Sequence, residues 1–228
     1  MLIADLHLHC KGDAVDSLAY SPEALIDHAA FRGYQVLAIT CHDIVVYSQK
    51  LFQYAKRKGI LLIPGAEKTL QGKHVLLYNI TNQELNRIKT FEDIAAWKKR
   101  TKNSLVIAPH AYYPLSSCLG KLTEKHIDLF DAIEFTHFYT NYCNFNEKAV
   151  QLAHANRKPV VGSSDTHKLT QFGTIHSIIQ SKKTNPAVIS AIKQGKVYVS
   201  SRPLTAIEFF RTGMWAVLGL LRALLFRS

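Results

Sequence analysis

Histidines and carboxylates gather in a few short segments of this chain: Asp5-Leu6-His7-Leu8-His9, Cys41-His42-Asp43, Gly65-Ala66-Glu67, His74, Pro109-His110 and Ser164-Asp165-Thr166-His167. Neutral imidazole and carboxylate are the side chains that zinc, iron and manganese favour. His7 and His9 stand two apart in a strand-like stretch, so both leave the same face and can reach one cation. Asp165 and His167 repeat that alternation late in the chain. One such pair is a weak signal. The accumulation of ligand-type residues, each beside a strand-like run, points to a metal site and to metal-dependent hydrolysis. A bound divalent cation lowers the pKa of water from about 15.7 to about 7, which makes a nucleophile at neutral pH.

Elements that could position these groups alternate along the sequence. Strand-like runs occupy 2–7, 36–40, 60–64, 75–78, 105–108, 132–135, 159–162, 174–179, 197–200 and 205–209. Ser21 followed by Pro22 predicts a helix start, and Gly33 its end. Further helices are predicted over 46–58, 83–89, 92–102, 122–129, 145–156 and 186–194, with Gly59 and Gly195 as stops. Glu67 reads as following a Pro64-Gly65 turn. The alternation predicts parallel βαβ units, about seven of them. An open sheet would collect its ligands at one switch point. Here they come from nearly every strand, which predicts an α/β chain folded as a distorted (β/α)7 TIM-like barrel with its site at the strand ends.

With 228 residues, 47% hydrophobic and 20% charged, the chain is ordinary globular material and not disordered. Residues 1–210 read as one domain, followed by a hydrophobic helix over 211–228. The stretch Met214–Phe226 is too short and, with Arg222, too interrupted to span a bilayer. It reads as packing on the barrel or joining a homo-oligomer, with membrane contact through Arg211, Arg222 and Arg227 as the alternative. The four cysteines, Cys10, Cys41, Cys118 and Cys143, form no CxxC pair. Together with strand-like residues from Leu2 onward in place of a leader, they predict a cytoplasmic protein. The formal net charge of +11 favours anionic partners such as phosphate esters, nucleic acid or an anionic membrane face.

In order and spacing the segments resemble the polymerase and histidinol phosphatase (PHP) family. Its motifs run DxHxH, T-D-H, a lone His and S-D-x-H, which appear here as Asp5–His9, Thr40-Cys41-His42, His110 and Ser164–His167. A Pro-Gly-x-Glu element appears as Pro64–Glu67, and a His-hydrophobic strand as His74-Val75-Leu76-Leu77. The resemblance implies a distorted (β/α)7 barrel, two or three divalent ions (Zn, Mn or Fe) and phosphoesterase chemistry. It implies that His7, His9, Glu67 and Asp165 hold one metal, with Glu67 bridging to a second served by His42 and His110. His74 completes the cluster. His167 would share a third metal with an acid of the loop Lys11–Asp16, Asp16 before Asp13. Asp165 and His167 would lie on the proton path. The chain departs from the family pattern at Cys10, where Thr is usual, and at Cys41, where Asp is usual.

His137 follows the strand at 132–136 and is a candidate substrate contact, as are Lys68 and Arg202. His28, His126, His154 and His176 read as structural. The expected function is a metal-dependent phosphoesterase using a metal-activated hydroxide at a di- or trinuclear site, on a phosphorylated small molecule or nucleotide. One alternative is a nuclease or oligonucleotide phosphatase, which the charge favours, although no aromatic-interleaved single-strand platform is visible. The other is a metal-binding regulatory barrel without turnover, suggested by Cys41.

Overall fold

Short runs of apolar residues form the strands. Val36–Ile39 (β2) and Leu105–Ala108 (β5) are buried at every position, as strands covered on both faces must be. The computed structural model describes residues 1–213. The segment 214–226, and with it the packing, oligomer or membrane role of the tail, lies outside the described residues. The remaining strands are Leu2–Leu8 (β1), Leu61–Leu70 (β3), Lys73–Tyr78 (β4), Ala132–Thr136 (β6), Val160–Ser163 (β7), Ile175–Ile179 (β8) and Val197–Ser201 (β9). They form one sheet in the order β7-β6-β5-β4-β3-β2-β1-β8-β9. The result is a mixed α/β fold with a nearly closed, distorted barrel.

The expected strand directions and the expected Pro64-Gly65 turn are corrected. The sheet is not uniformly parallel: β3–β4, β4–β5, β1–β8 and β8–β9 are antiparallel. The Pro64-Gly65 turn does not exist either. Both residues lie inside β3, where Pro64 pairs with Ile39 of β2 and Gly65 with Tyr78 of β4. A Cβ on Gly65 would stand 3.0 Å from Tyr78 Cδ1 and 3.2 Å from the Leu77 carbonyl oxygen, so the strand can change partners there only by lacking a side chain. The turn comes later, at Gln71 and Gly72, both with positive φ.

Helices sit outside the barrel. Ser21 caps Pro22–Phe31 (α1) by accepting the Ala24 N–H at 3.2 Å, and Ser48 caps Gln49–Arg57 (α2) in the same way. Asn82–Arg87 (α3) and Phe91–Arg100 (α4) open with capping boxes. Lys121–Lys125 (α5) ends at His126 and is followed by a 3-10 turn, so the helix expected over 122–129 is broken. Asn146–Ala155 (α6) and Asn185–Lys193 (α7) match their expected places. The strand expected at 205–209 is instead the start of a helix (α8) at residues 206–213. Thr205 Oγ1 accepts the Glu208 N–H, and Glu208 accepts the Thr205 N–H at 2.9 Å. That reciprocal cap overrides the strand-like Ile207-Glu208-Phe209-Phe210 pattern.

Inside the barrel, Ala4, Leu6, Val36, Ala38, Ile63, Leu76, Tyr78, Leu105, Ile107 and Val161 form one cluster, onto which α7 packs Val188 and Ile192. Leu8 belongs to a different cluster, with Leu37, Ile39 and the residues of α1. Leu6 and Leu8 therefore pack on opposite faces although they are two apart. The cause is a shift of register between Asp5 and Leu8 in the pairing of β1 with β2. This irregularity exchanges the faces and turns His7 and His9 inward, which is how a bulge re-aims side chains beside a site.

The barrel is drawn together where β7 meets β1 and β8. Leu8 bridges Thr166, the His9 N–H donates to the Thr166 carbonyl at 3.2 Å, and Ser177 Oγ spans both Gly162 N (2.9 Å) and Gly162 O (3.0 Å). A Cβ on Gly162 would lie 2.9 Å from the His176 carbonyl oxygen and from Val199 Cγ1. Gly162→Ala is therefore expected to lower unfolding stability by about 1–3 kcal/mol, as overpacking does. Chemical denaturation checks this, and an unchanged midpoint would mean that the seam is looser than the structure has it.

Candidate metal centre

Strand alternation explains how the acid at the centre enters the barrel. Ile63 faces the interior, and two and four residues on, Gly65 and Glu67 share its side. Glu67 is 1% exposed and its two oxygens face different imidazoles. Oε1 lies 2.9 Å from His74 Nδ1 and 3.0 Å from His110 Nε2. Oε2 lies 3.1 Å from His42 Nε2, 3.2 Å from His7 Nε2 and 3.4 Å from His9 Nε2. Burial alone would raise the Glu67 pKa; the imidazoles of His74, His7 and His110 hold it well below the usual carboxylate range.

Each imidazole arrives from its own element. His7 and His9 come from the irregular end of β1, where the Asp5 carboxylate accepts the His7 N–H and, 159 residues away in sequence, the Ser164 N–H. Burial pushes Asp5 up to about 7 against those hydrogen bonds. His42 follows β2 and bridges to Glu67. His74 sits at the start of β4, not at a strand's end; because β4 runs antiparallel, its start opens on the same mouth. His110 follows β5, and Asp165 and His167 follow β7. His110 and Asp165 both have positive φ, 28° and 49°, a strained backbone of the kind that persists where surroundings over-determine it.

Asp165 Oδ1 lies 3.3 Å from His9 Nε2, 3.4 Å from His7 Nε2 and 3.5 Å from His167 Nδ1. Against the effect of burial, the neighbouring His7, His9 and His167 hold Asp165 well below its ordinary range. The two acids of the first loop take different places. Asp16 Oδ2 is 3.1 Å from His167 Nε2 and 3.6 Å from His42 Nδ1. Asp13 lies behind the rings, with Oδ2 2.8 Å from His9 Nδ1 and 3.1 Å from His42 Nδ1, and it accepts the His42 N–H.

Sequence reasoning passed over Glu134. It shares the inward face of β6 with Ala132 and is fully buried. Its Oε1 is 2.9 Å from His7 Nδ1 and its Oε2 accepts the His110 N–H at 2.8 Å. The available signal was a carboxylate inside the apolar strand Ala132-Ile133-Glu134-Phe135, since acids are almost never buried without a partner. Glu134 and Asp13 hold the Nδ1 atoms of His7 and His9, which leaves each Nε2 lone pair pointing inward.

A donor set that fits divalent ions follows. Ligand atoms around one such ion, each about 2.0–2.2 Å from it, stand roughly 3–3.5 Å apart. The separations around Glu67 are of that size. Triplets with all donors within 4.8 Å include His7/His9/Glu67, His42/Glu67/His74, His7/His110/Asp165 and His9/His42/His167. His7 Nε2, His9 Nε2 and Asp165 Oδ1 are buried with only one another and Glu67 at 3.2–3.4 Å and no well-formed hydrogen bond, which an ion among them would satisfy. Despite burial, which disfavours a charged imidazole, the carboxylates raise the pKa of His7 and His9 well above the ordinary value. The same carboxylates that favour a charged imidazole favour a bound cation.

Cys41 points behind the ligands, into the outer cluster with Cys10, and their sulfurs are 3.7 Å apart. The Cys10 contact and burial push the Cys41 thiol far up, so it stays protonated. His137 is 4% exposed beside the Ser164 backbone, and burial lowers its pKa. Together with the cluster it lines a cavity of about 400 Å³. Lys68 and Arg202 are not brought there. Lys68 pairs with Asp43 at 2.7 Å, and Arg202 forms a two-pronged pair with Glu208 at 2.7 and 2.8 Å. His126 stacks on Phe91, His28 meets Phe172 edge-on, and His176 meets Tyr34.

Comparison with known proteins agrees with this architecture. The family model described as PHP-associated matches residues 144–197, which carry β7, Ser164–His167 and β8. An uncharacterized protein of Methanocaldococcus jannaschii is 27% identical over 147 residues, 60% of this chain and 82% of its own length. A two-domain protein of Bacteroides vulgatus, containing a predicted PHP-like metal-dependent phosphoesterase, superimposes with a TM-score of 0.68 at 17% identity. That match covers 88% of this chain but only 65% of the longer protein. The lesion-specific endonuclease Q of Pyrococcus furiosus superimposes with a TM-score of 0.62 at 17% identity, over 87% of this chain and 57% of the endonuclease. In its ordered motifs and in the segment matched over residues 144–197 the chain is similar to PHP proteins, and the superpositions show that it shares their fold.

Proposed function

We propose that this chain is a metal-dependent phosphoesterase whose site holds two or three divalent ions. The observation that carries the proposal is Glu67, whose oxygens each face a separate set of imidazoles as a bridging carboxylate must. We assign His7, His9, Glu67, His42, His74, His110 and Asp165 as ligands, with Asp16 and His167 sharing a further ion. Zn, Mn and Fe all suit this mixture of nitrogen and oxygen donors. Ions bound there would supply an activated water and a positive seat for phosphate.

The chain's own groups do the rest. Glu134 and Asp13 fix ring orientation through Nδ1. Asp5 holds the end of β1 against β7. Asp165 and His167 line the cavity, where we place them on the proton path. Burial keeps His137 neutral, so it can meet a substrate's polar atom without repelling the cations.

Similarity to endonuclease Q and the charge of +11 favour a second reading, a nuclease or oligonucleotide phosphatase. A regulatory barrel without turnover is the third. It loses support because Cys41, whose departure suggested it, lies behind the ligands. Among the described residues no helix is long and apolar enough to cross a membrane.

Purified protein is expected to carry at least two metal equivalents by elemental analysis and to hydrolyse a chromogenic phosphomonoester. His9→Ala and Asp165→Ala should each lose metal and at least about 100-fold in rate, with circular dichroism unchanged. Full activity in either variant would refute the ligand assignment. A filled site that turns over neither a monoester nor a diester with Zn, Mn or Fe would leave the regulatory reading standing. Glu134→Gln keeps the volume but weakens the hold on His7; metal affinity should fall about 10–100-fold, as for other carboxylates behind a ligating histidine. Competition with a metal chelator measures this.

A further inference from the structure

Large apolar side chains left in water gather around the mouth. Val15 is 67% exposed, Tyr142 100%, Ile207 and Phe210 66% each, and Leu115 49%. They come from four separate elements. Val15 lies in the loop that carries Asp13 and Asp16, Leu115 in the loop after His110, Tyr142 in the loop after β6, and Ile207 and Phe210 on α8. Each of these elements borders the cavity, through Asp16, Leu115, Phe138 and Thr212. The loops are pinned. Asp13 Oδ1 accepts the N–H groups of Val15 at 2.8 Å and Asp16 at 3.0 Å. Thr140 Oγ1 accepts those of Tyr142 at 3.2 Å and Cys143 at 3.0 Å. On α8, Phe209 turns inward onto Phe138, with ring centroids 4.3 Å and planes 9° apart. Ile207, Phe210 and Arg211, spaced by three and four residues, share the outer face.

Apolar surface held in water costs about 25 cal/mol for each Å² until something covers it. A packed protein partner is a poor cover here. The side chains stand around an opening and not on one flat patch, and such a partner would close the cavity. A phospholipid surface takes side chains singly, with apolar groups beneath the headgroups and tyrosine hydroxyls and cations among them. Tyr142 and Arg211 suit that division. The sequence beyond Gly213 points the same way: Met214–Phe226 holds a single charge, Arg222, and an interfacial residue, Trp215, in a run too short to span a bilayer. Charge alone would orient the molecule differently. The helices α2, α4 and α7 end in Lys and Arg and lead into strand starts at the opposite end of the barrel, its foot. An anionic surface would attract that foot, so a zwitterionic one isolates the apolar contact.

We propose that the rim of the mouth docks on a phospholipid surface, with Val15, Leu115, Tyr142, Ile207 and Phe210 entering the headgroup layer and the cavity opening toward it. Docking of this kind requires no turnover and stands apart from the phosphoesterase reading.

Co-sedimentation of the full chain with phosphatidylcholine vesicles tests it. The protein should bind, and should stay bound with a metal chelator present and at about 0.5 M NaCl, where charges are screened within a few ångströms. Tyr142→Asp and Phe210→Asp should each weaken partitioning at least about tenfold, since a carboxylate does not follow an apolar group into the headgroup layer. Circular dichroism should stay unchanged in both. Phe31→Asp alters a side chain that is 90% exposed at the end of α1, toward the foot, and should leave partitioning as it was. Absence of binding to phosphatidylcholine would overturn the inference. So would binding that neither rim variant weakens, which would assign attachment to the sequence beyond Gly213. Binding confined to phosphatidylglycerol vesicles and lost in salt would overturn it in favour of the foot. A dimer in light scattering that Phe210→Asp dissolves, without vesicle binding, would make the cover a second copy of this chain.

Discussion

A single buried carboxylate sets the terms for the rest of this molecule. An ionised acid removed from water carries a penalty of several kcal/mol that only close positive or hydrogen-bonding partners offset. Glu67 has such partners on both oxygens, and they come from β1, β2, β4 and β5. No one segment of chain could supply that shell. The barrel is the device that brings the segments to one mouth, and the departures from an even parallel barrel serve the same end. The β3–β4 hairpin carries Glu67 inward on one strand and returns His74 beside it on the next. The slipped register of β1 turns two histidines inward that would otherwise alternate with the interior residues differently.

Much of this was legible in the sequence, and the reasons are specific. Ser21-Pro22 and Gly33 bound α1 because capping and positive φ are local properties read from a few residues. The ligand-type residues stood out because His and Asp rarely cluster beside apolar runs without a cause. What stayed hidden was non-local. The register slip in β1 leaves no mark in Asp5–His9, since it is decided by pairing with β2 and by the reach of Asp5 to Ser164. Pro64-Gly65 looked like a turn because those residues usually make one; here the missing Cβ of Gly65 admits Tyr78 and Thr40. The Thr205/Glu208 cap was readable but was outweighed by an apolar pattern.

The electrostatic picture divides in two. Among the described residues no Lys or Arg lines the cavity at the mouth, so the positive charge acts on anions from a distance. The mouth itself is acidic behind its imidazoles, with Asp13, Asp16, Glu67, Glu134 and Asp165 within a few ångströms of one another's partners. On the proposed phosphoesterase reading such a site would bind phosphate only once cations had neutralised it, so the field that gathers an anion and the groups that hold it would be built from different residues. Cys41 fits the same division, since burial and the Cys10 contact push its thiol far up and it adds no further negative charge behind His9 and His42.

The hydrogen bond from the Ser164 N–H to Asp5 joins residues 159 positions apart. Contacts of such separation form slowly, because the entropy of the intervening loop is lost before the contact gives anything back. The amino-terminal histidines must therefore wait on the growing polypeptide until residues 164–167 emerge from the ribosome. During that interval β1 can pair with β2 but lacks β8 and the Asp5–Ser164 bond, and a nascent chain that captured a cation early would do so with an incomplete set of donors. Assembly of the centre is thus a late event in the life of the newly made chain.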